Sequence, residues 1–422
     1  MAMLVLAANA ARAANGDFES PPEFRAADVL SPALIAGEHF KVDQTVRNGG
    51  YLNHFVIHSE YGDFEATGRA MLEIRLHEIA ALARIAEISR TDVFIRAAKN
   101  AAVDAVVQPV KAAQNITTDP IGTVTRLPRG IGRLFSHYAE EGGKAVESVK
   151  STTSDLVSGG SKDGPASDFS DTGRSAAKSV LSIGSAERRW SKQLGTDPYS
   201  SNATLRKAIE NVAWFDGVGR LAPSLAGLPS IPGAGELVKV NELAWDDPRS
   251  VRAKNRERLV AMRIPEADVD AFLDDSSFIP THQLVLLESM DALEGVEGRE
   301  VLLRQSMDKK SEAEIWFHLN SVRMLVALRR EGVPVTAIVP GARLTMAATA
   351  DNRLVVTLGL DHLVWTEDID RIAQHFKEVI APRNDAAMDV WITGTASGRA
   401  KAELAALGLE LHERSLSSLA GG

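Results

Sequence analysis

Between Ser311 and Leu358 the chain changes its hydrophobic period, and that change excludes both an all-helical and an all-strand fold. Ser311 and Glu314 form the Ser-x-x-Glu pattern of a capping box, which predicts a helix over 312–330. Gly332 and Pro334 end it, because glycine suits the left-handed terminating conformation and proline cannot continue the ladder. Beyond them, residues 335–339, 343–348 and 353–358 are short β candidates, with Asp351 and Asn352 as a hairpin turn. Thr366 is placed to cap a helix over 367–380. Residues 390–393 read as a strand, 397–407 as a helix ended by Gly408, and 409–412 as a last strand. Helices alternating with strands predict a C-terminal α/β domain with one βαβ unit.

Upstream the same periods recur in separate blocks. Residues 40–46, 51–58 and 64–67 alternate around Asn48-Gly49-Gly50 and Tyr61-Gly62-Asp63, which predicts a small β-meander. Leu72, Leu76, Ile79 and Ala83, widened by Ile74, Leu82 and Ile85, predict a long buried helix over 69–88. Thr91 or Asp92 is placed to cap a further helix ending before Pro109. Phe135, Tyr138, Gly142, Ala145, Val149, Thr152 and Leu156 form a narrow seam of coiled-coil period. Residues 158–172 read as a flexible Ser/Gly linker before a helix over 174–194. Next, Asn202 can cap 203–215, and 218–235 is a Gly/Pro/Leu-rich loop. Pro248 and Pro265 are first-turn prolines for helices over 249–262 and 266–273, and Thr281 opens 282–293.

The expected fold is therefore a mixed α+β multidomain protein. It has an N-terminal β-meander with long helices (14–114), a basic apolar and linker segment (115–195), a helical domain (196–332) and a C-terminal α/β domain (333–422).

Composition narrows the chemistry. There is no cysteine among the 422 residues, which excludes disulfides, thiolate zinc sites, Cys-held iron–sulfur clusters and a Cys nucleophile. A net charge of −9 and 5% aromatic residues argue against nucleic acid as a partner. No apolar run approaches the ~18–20 residues of a transmembrane span. Residues 3–8 are apolar and lead to Ala11-Arg12-Ala13, the order of a signal-peptide end with cleavage after Ala13. This predicts export to the periplasm or cell envelope, with residues 1–13 as a signal remnant. The run lacks a basic leader and is shorter than a full apolar signal core, and the alternative is a cytoplasmic chain with an alanine-rich terminus.

Several side-chain groupings invite chemistry. Arg126, Arg129 and Arg133 interleave with apolar residues including Leu134 and Phe135, a pattern that suits an anionic membrane surface or a protein partner. Thr395, Ser397 and Arg399 lie at a strand-to-helix turn beginning at Gly394, where free amides favour an anion; an ordinary cap by Thr395 or Ser397 is the simpler reading. Asp361, His362 and Ser397 have the residue types of a hydrolytic triad, which is defined by geometry and not by type. His54 and His58 share a strand face but stand too far apart for one metal, and Glu314 and His318 are one helical turn apart. No grouping supports a catalytic assignment, a metal or a cofactor. The leading expectation is a non-enzymatic exported protein that binds a protein partner or a membrane surface. The alternatives are a hydrolase or transferase using the C-terminal α/β domain, and a cytosolic helical scaffold.

Overall fold

Strand β4 (Asn53–Ser59) organises the N-terminal sheet. The computed structural model describes residues 18–89, 184–219, 242–340, 344–380 and 387–413. Strands β2 (Phe40–Val42) and β3 (Thr45–Asn48) run antiparallel along one edge of β4. They are one strand interrupted at Asp43, whose N–H still donates to the Val56 carbonyl. Strand β5 (Gly62–Thr67) pairs with the other edge, which completes the expected meander. The sequence reading did not anticipate β1 (Glu23–Arg25), which adds outside β3. Alternation along β4 buries Phe55 and Ile57 and exposes His54 and His58.

Helix α1 (Arg69–Ser89) leaves the sheet at Gly68. Leu72, Leu76, Ile79, Leu82 and Ile85 are fully buried, as their broad apolar face predicts. Glu73, Arg75 and Glu78 of the same helix are buried too. The helical layer continues with α2 (Ser185–Leu194), α3 (Ala203–Gly219), a 3-10 turn at Glu242–Trp245, α4 (Pro248–Ala261), α5 (Glu266–Asp274), α6 (Pro280–Ala292), α7 (Arg299–Met307) and α8 (Glu312–Arg330).

Local chemistry sets most of these boundaries. Asn202 caps α3 by accepting from Leu205 N–H, and Asp247 caps α4 with Pro248 in its first turn. The capping box at Ser311 and Glu314 is formed. Three details differ from expectation. Pro265 is the N-cap residue of α5 and lies just outside its first turn. Helix α6 opens at Pro280, so Thr281 lies within the helix and its hydroxyl donates to Asp197 instead of capping. Helix α7 was not anticipated, because its N-cap is Gly298 in a left-handed conformation with no side chain to announce a helix start.

The C-terminal part contains β6 (Val335–Ile338), β7 (Met346–Thr349), β8 (Arg353–Leu358), β9 (His362–Leu363), α9 (Glu367–Ile380), β10 (Ala387–Ile392), β11 (Thr395–Ala396), α10 (Gly398–Ala406) and β12 (Leu409–Glu413). Its sheet has the order β12-β10-β8-β7-β6. Strands β8, β10 and β12 are parallel, and β7 and β6 add antiparallel. Two crossovers in succession, through α9 and α10, replace the single βαβ unit expected.

Two large apolar cores result. The first unites the meander, α1, the helical layer and Val335, Ile338, Ala347 and Val355. The second lies between the sheet and helices α9 and α10. Helix α8 backs the other sheet face, where Thr357 Oγ1 donates to the Ser321 carbonyl at 2.8 Å. The meander also grips the C-terminal part directly: Asp361 N–H donates to Tyr51 O at 3.0 Å, and Val364 N–H to Gly50 O at 2.9 Å. Among the described residues, no helix is long and apolar enough to cross a membrane.

Candidate functional site

The basic apolar segment with Arg126, Arg129, Arg133, Leu134 and Phe135 lies outside the described residues. So do residues 1–13, the helix expected after Thr91 or Asp92, the seam from Phe135 to Leu156, the linker over 158–172 and residues 220–235.

The C-terminal turn is described in full, and its groups serve one another. Ser397 caps α10, accepting from Ala400 N–H at 3.0 Å while its hydroxyl donates to Glu19 Oε2 at 2.5 Å. The same Glu19 oxygen accepts from Trp365 N–H at 2.8 Å. Glu413 accepts from Ala396 N–H at 2.7 Å and pairs with Lys401 at 2.9 Å. Two of the chain's own carboxylates thus take the Ser397 hydroxyl and the Ala396 N–H, and neither takes a first-turn amide of α10. Arg399 pairs with Glu403 at 3.5 Å, and Thr395 Oγ1 hydrogen-bonds His362 Nδ1 at 2.7 Å. Asp361 accepts from Asn53 N–H at 2.9 Å and Arg69 N–H at 3.2 Å, and burial pushes its carboxyl up to about 6. Asp361, His362 and Ser397 thus each have a different partner and form no relay. Gly394 is required for packing, since a Cβ there would lie 1.9 Å from the Asp361 carbonyl oxygen.

The other sequence candidates are also held locally. His54 Nδ1 lies 3.0 Å from Thr67 Oγ1, and His58 Nδ1 lies 2.9 Å from Asp63 Oδ1 across the β4–β5 pair. The Asp63 hydrogen bond raises the His58 pKa. Glu314 turns back to the N–H groups of Ser311 and Lys310, whereas His318 faces the Leu302 carbonyl, so the two do not meet. Asp389, Glu410 and His412 gather on β10 and β12 with ligand atoms within 4.8 Å of one another. Arg353 bridges both carboxylates, with Nε 2.7 Å from Asp389 and Nη2 2.9 Å from Glu410, and so fills the place a cation would take. His412 stacks on Trp391 at 4.1 Å.

A different region gathers two residues with buried polar atoms that have no hydrogen-bond partner. A small cleft of about 40 Å³ opens where α1, residues 195–200, the start of α6 and α8 converge. That is room for a few water-sized groups. The chain reaches it because α2 ends on Gly195 in the left-handed region (φ 67°), and Thr196 N–H returns to Ser191 O. Asp197 then presents its side chain, whose Oδ1 accepts from Tyr199 N–H at 2.8 Å and Thr281 Oγ1 at 2.7 Å.

The frame of the cleft is ionic. Arg75 donates to Glu78 at 2.7 Å, to Glu312 at 3.1 Å and to Ser201 Oγ at 2.6 Å. Glu78 also accepts from Ser200 and from Asn202 at 2.9 Å, which closes that pair. One guanidinium thus serves two carboxylates, and Asp197 makes no ion pair among the described residues. Burial pushes Asp197 up to about 6, opposed by its hydrogen bonds from Thr281 and Tyr199 and reinforced by Glu78 and Glu312. Burial likewise raises Glu312.

Further along, Ile74, Ile279, Val285 and Trp316 supply an apolar lining. His282, only 4% exposed, stands edge-on to Trp316 with ring centroids 5.4 Å apart, and its Nδ1 has no hydrogen-bond partner. Burial drives its pKa down to about 3, so it is neutral at physiological pH. Arg323 lines the same cleft with a buried Nη1 that also has no hydrogen-bond partner, and burial lowers its pKa. His282 Nδ1 and Arg323 Nη1 are two of ten such buried side-chain atoms among the described residues, and the two whose residues line this cleft.

Sequence reasoning did not find this cleft, which draws Glu78, Asp197, His282, Glu312 and Arg323 from four separate stretches. One signal was present: a polar arginine at position 323 breaks the apolar face of the 312–330 helix. Searches against protein-family models, curated proteins and solved structures return no match to this chain, so the chemistry of the cleft rests on its own residues.

Proposed function

We propose that this is a non-enzymatic, exported binding protein whose ligand occupies the cleft between α1 and α8. The observation that carries the reading is that His282 and Arg323, two residues lining one concave site, each hold a buried polar atom without a hydrogen-bond partner, Nδ1 and Nη1. Burying such atoms without partners costs about 1–3 kcal/mol each, a cost that a bound ligand offsets. The wall combines apolar contacts with a few placed polar groups, as small-molecule sites do. Export rests on the order of residues 1–13. Contact with a partner or an anionic membrane surface rests on Arg126, Arg129 and Arg133 with Leu134 and Phe135.

The test is calorimetric titration of the full chain with four classes of small solute: amine, carboxylate, zwitterion and neutral amide. Binding by at least one class is expected, weakened in Arg323→Met and with the solute recovered unchanged. Absence of binding across all four classes sinks the reading. A second reading, acid–base catalysis in the same cleft, is supported by Asp197, whose pKa of about 6 suits proton transfer near neutrality. Chemical conversion of the solute would select it.

A further inference from the structure

Strands β10 and β12 run parallel in a register that sets Asp389 beside Glu410 and Trp391 beside His412. Residues two apart on a strand share a face, so these four side chains gather on one side of the sheet. Arg353 of β8 reaches them there. Asp389 is the buried member, His412 is partly exposed and Glu410 is open to solvent.

The two carboxylates divide their oxygens. Arg353 takes Asp389 Oδ2 through Nε at 2.7 Å and Glu410 Oε2 through Nη2 at 2.9 Å. The other oxygens, Asp389 Oδ1 and Glu410 Oε1, stand 3.4 and 3.6 Å from His412 Nε2. Those separations are long for hydrogen bonds, which settle near about 2.7–3.2 Å. They match the edge of a coordination tetrahedron: at bond lengths of about 2.0–2.2 Å, neighbouring ligand atoms stand about 3.3–3.6 Å apart. The two oxygens complete the triangle within 4.8 Å of each other. Trp391 fixes the imidazole, which stacks on the indole with centroids 4.1 Å apart and planes 11° from parallel. A ligand ring locked by packing keeps its nitrogen aimed at one point.

We propose that Asp389, Glu410 and His412 bind a divalent transition ion of the zinc class, which takes Asp389 Oδ1 from Arg353 as it enters. Arg353 Nη2 also donates to that oxygen, so guanidinium and metal compete for one ligand atom. Arg353 is one-third exposed and has a way out into solvent. Two carboxylates outnumber the single guanidinium, which leaves room in the charge balance for a further cation. One imidazole nitrogen with two carboxylate oxygens is a zinc donor set, whereas magnesium and calcium prefer oxygen alone. Three protein ligands leave a fourth position for water. The site shares no residue with the cleft between α1 and α8 and does not rest on it.

The test titrates the full chain with zinc chloride by calorimetry, with magnesium chloride as the control. Zinc is expected to bind and magnesium not. His412→Phe keeps a ring on Trp391 and removes the nitrogen, and should weaken zinc binding about tenfold or more. Glu410→Gln should weaken it as well. Arg353→Met removes the competitor and should tighten binding about threefold or more, the worth of one partly exposed ion pair. An unchanged urea midpoint shows that each variant is folded. Should Arg353→Met fail to fold, His412→Phe and Glu410→Gln carry the test, since both leave the Arg353–Asp389 pair in place. Zinc affinity that ignores His412→Phe would assign the ion to other exposed histidine–carboxylate groups, such as His58 with Asp43 and Asp63, and overturns the proposal. No binding of zinc, or equal binding of magnesium, overturns it too. Weaker binding in a folded Arg353→Met overturns the exchange with Arg353.

Discussion

Asp361 at the C-terminal turn and Asp197 in the cleft are both pushed by burial to about 6, yet their surroundings differ in kind. Asp361 gives each oxygen to a backbone N–H, one from Asn53 and one from Arg69, and thereby pins the meander to the C-terminal part. Asp197 spends one oxygen on two donors and faces a cleft in which His282 and Arg323 each keep a buried atom without a hydrogen-bond partner. Residue types that resemble a catalytic set therefore say little about function when each has its own partner. Buried atoms without partners pose a sharper question where two belong to residues lining one cleft.

The largest effect should come from the frame of the cleft. Arg75→Met leaves Glu78 and Glu312 without their shared cation and should cost about 3–5 kcal/mol, measured by urea denaturation. A loss under 1 kcal/mol would mean that the two carboxylates need no such support. Next comes Gly394→Ala, which sets a Cβ against the Asp361 carbonyl and should cost about 3 kcal/mol. A neutral outcome there would remove the packing account of this turn and reopen it as a ligand loop.

The two aspartates can be compared by pH. Both ionise near 6 in the folded chain, against about 3.9 in an unfolded one. Between these values the folded chain holds a proton that the unfolded chain releases, so each carboxyl stabilises the fold in acid and loses that contribution as pH rises through 6. Asparagine does not titrate. The stability of Asp197→Asn relative to the native chain should therefore rise by about 2–3 kcal/mol between pH 4 and pH 7. Asp361→Asn should show the same slope, displaced downward by about 1–3 kcal/mol at every pH, because its amide group faces a backbone donor it cannot satisfy. Parallel curves without that displacement would erase the distinction between the two sites.

Legibility followed the range of the interactions. The capping box at Ser311, the caps at Asn202, Asp247 and Ser397, and the alternation of β4 are decided within a few residues, and the sequence displays them. Helix α7 starts on a glycine and has no such mark. The cleft is illegible for a further reason. Its carboxylates, imidazole and guanidinium come from α1, the turn after α2, α6 and α8, and only packing decides that they face one another. Even at the C-terminal turn, the sequence shows Ser397 as a cap but not that Glu19, 378 residues away, supplies its acceptor.

The smallest expected effects sharpen the comparison most. Ser397→Ala removes an N-cap oxygen and the donor to Glu19, and should destabilise by about 1 kcal/mol. Arg323→Met removes a guanidinium whose buried nitrogen has no hydrogen-bond partner, and replaces it with an apolar chain of similar reach. It should leave stability unchanged or raise it by about 1 kcal/mol, because the cost of burying that group disappears with it. Denaturation of the two variants side by side reads the difference directly. Destabilisation by Arg323→Met equal to that of Ser397→Ala would show that Arg323 holds the fold together. A stable variant that no longer binds would instead identify Arg323 as a residue the chain keeps for something it does not itself contain.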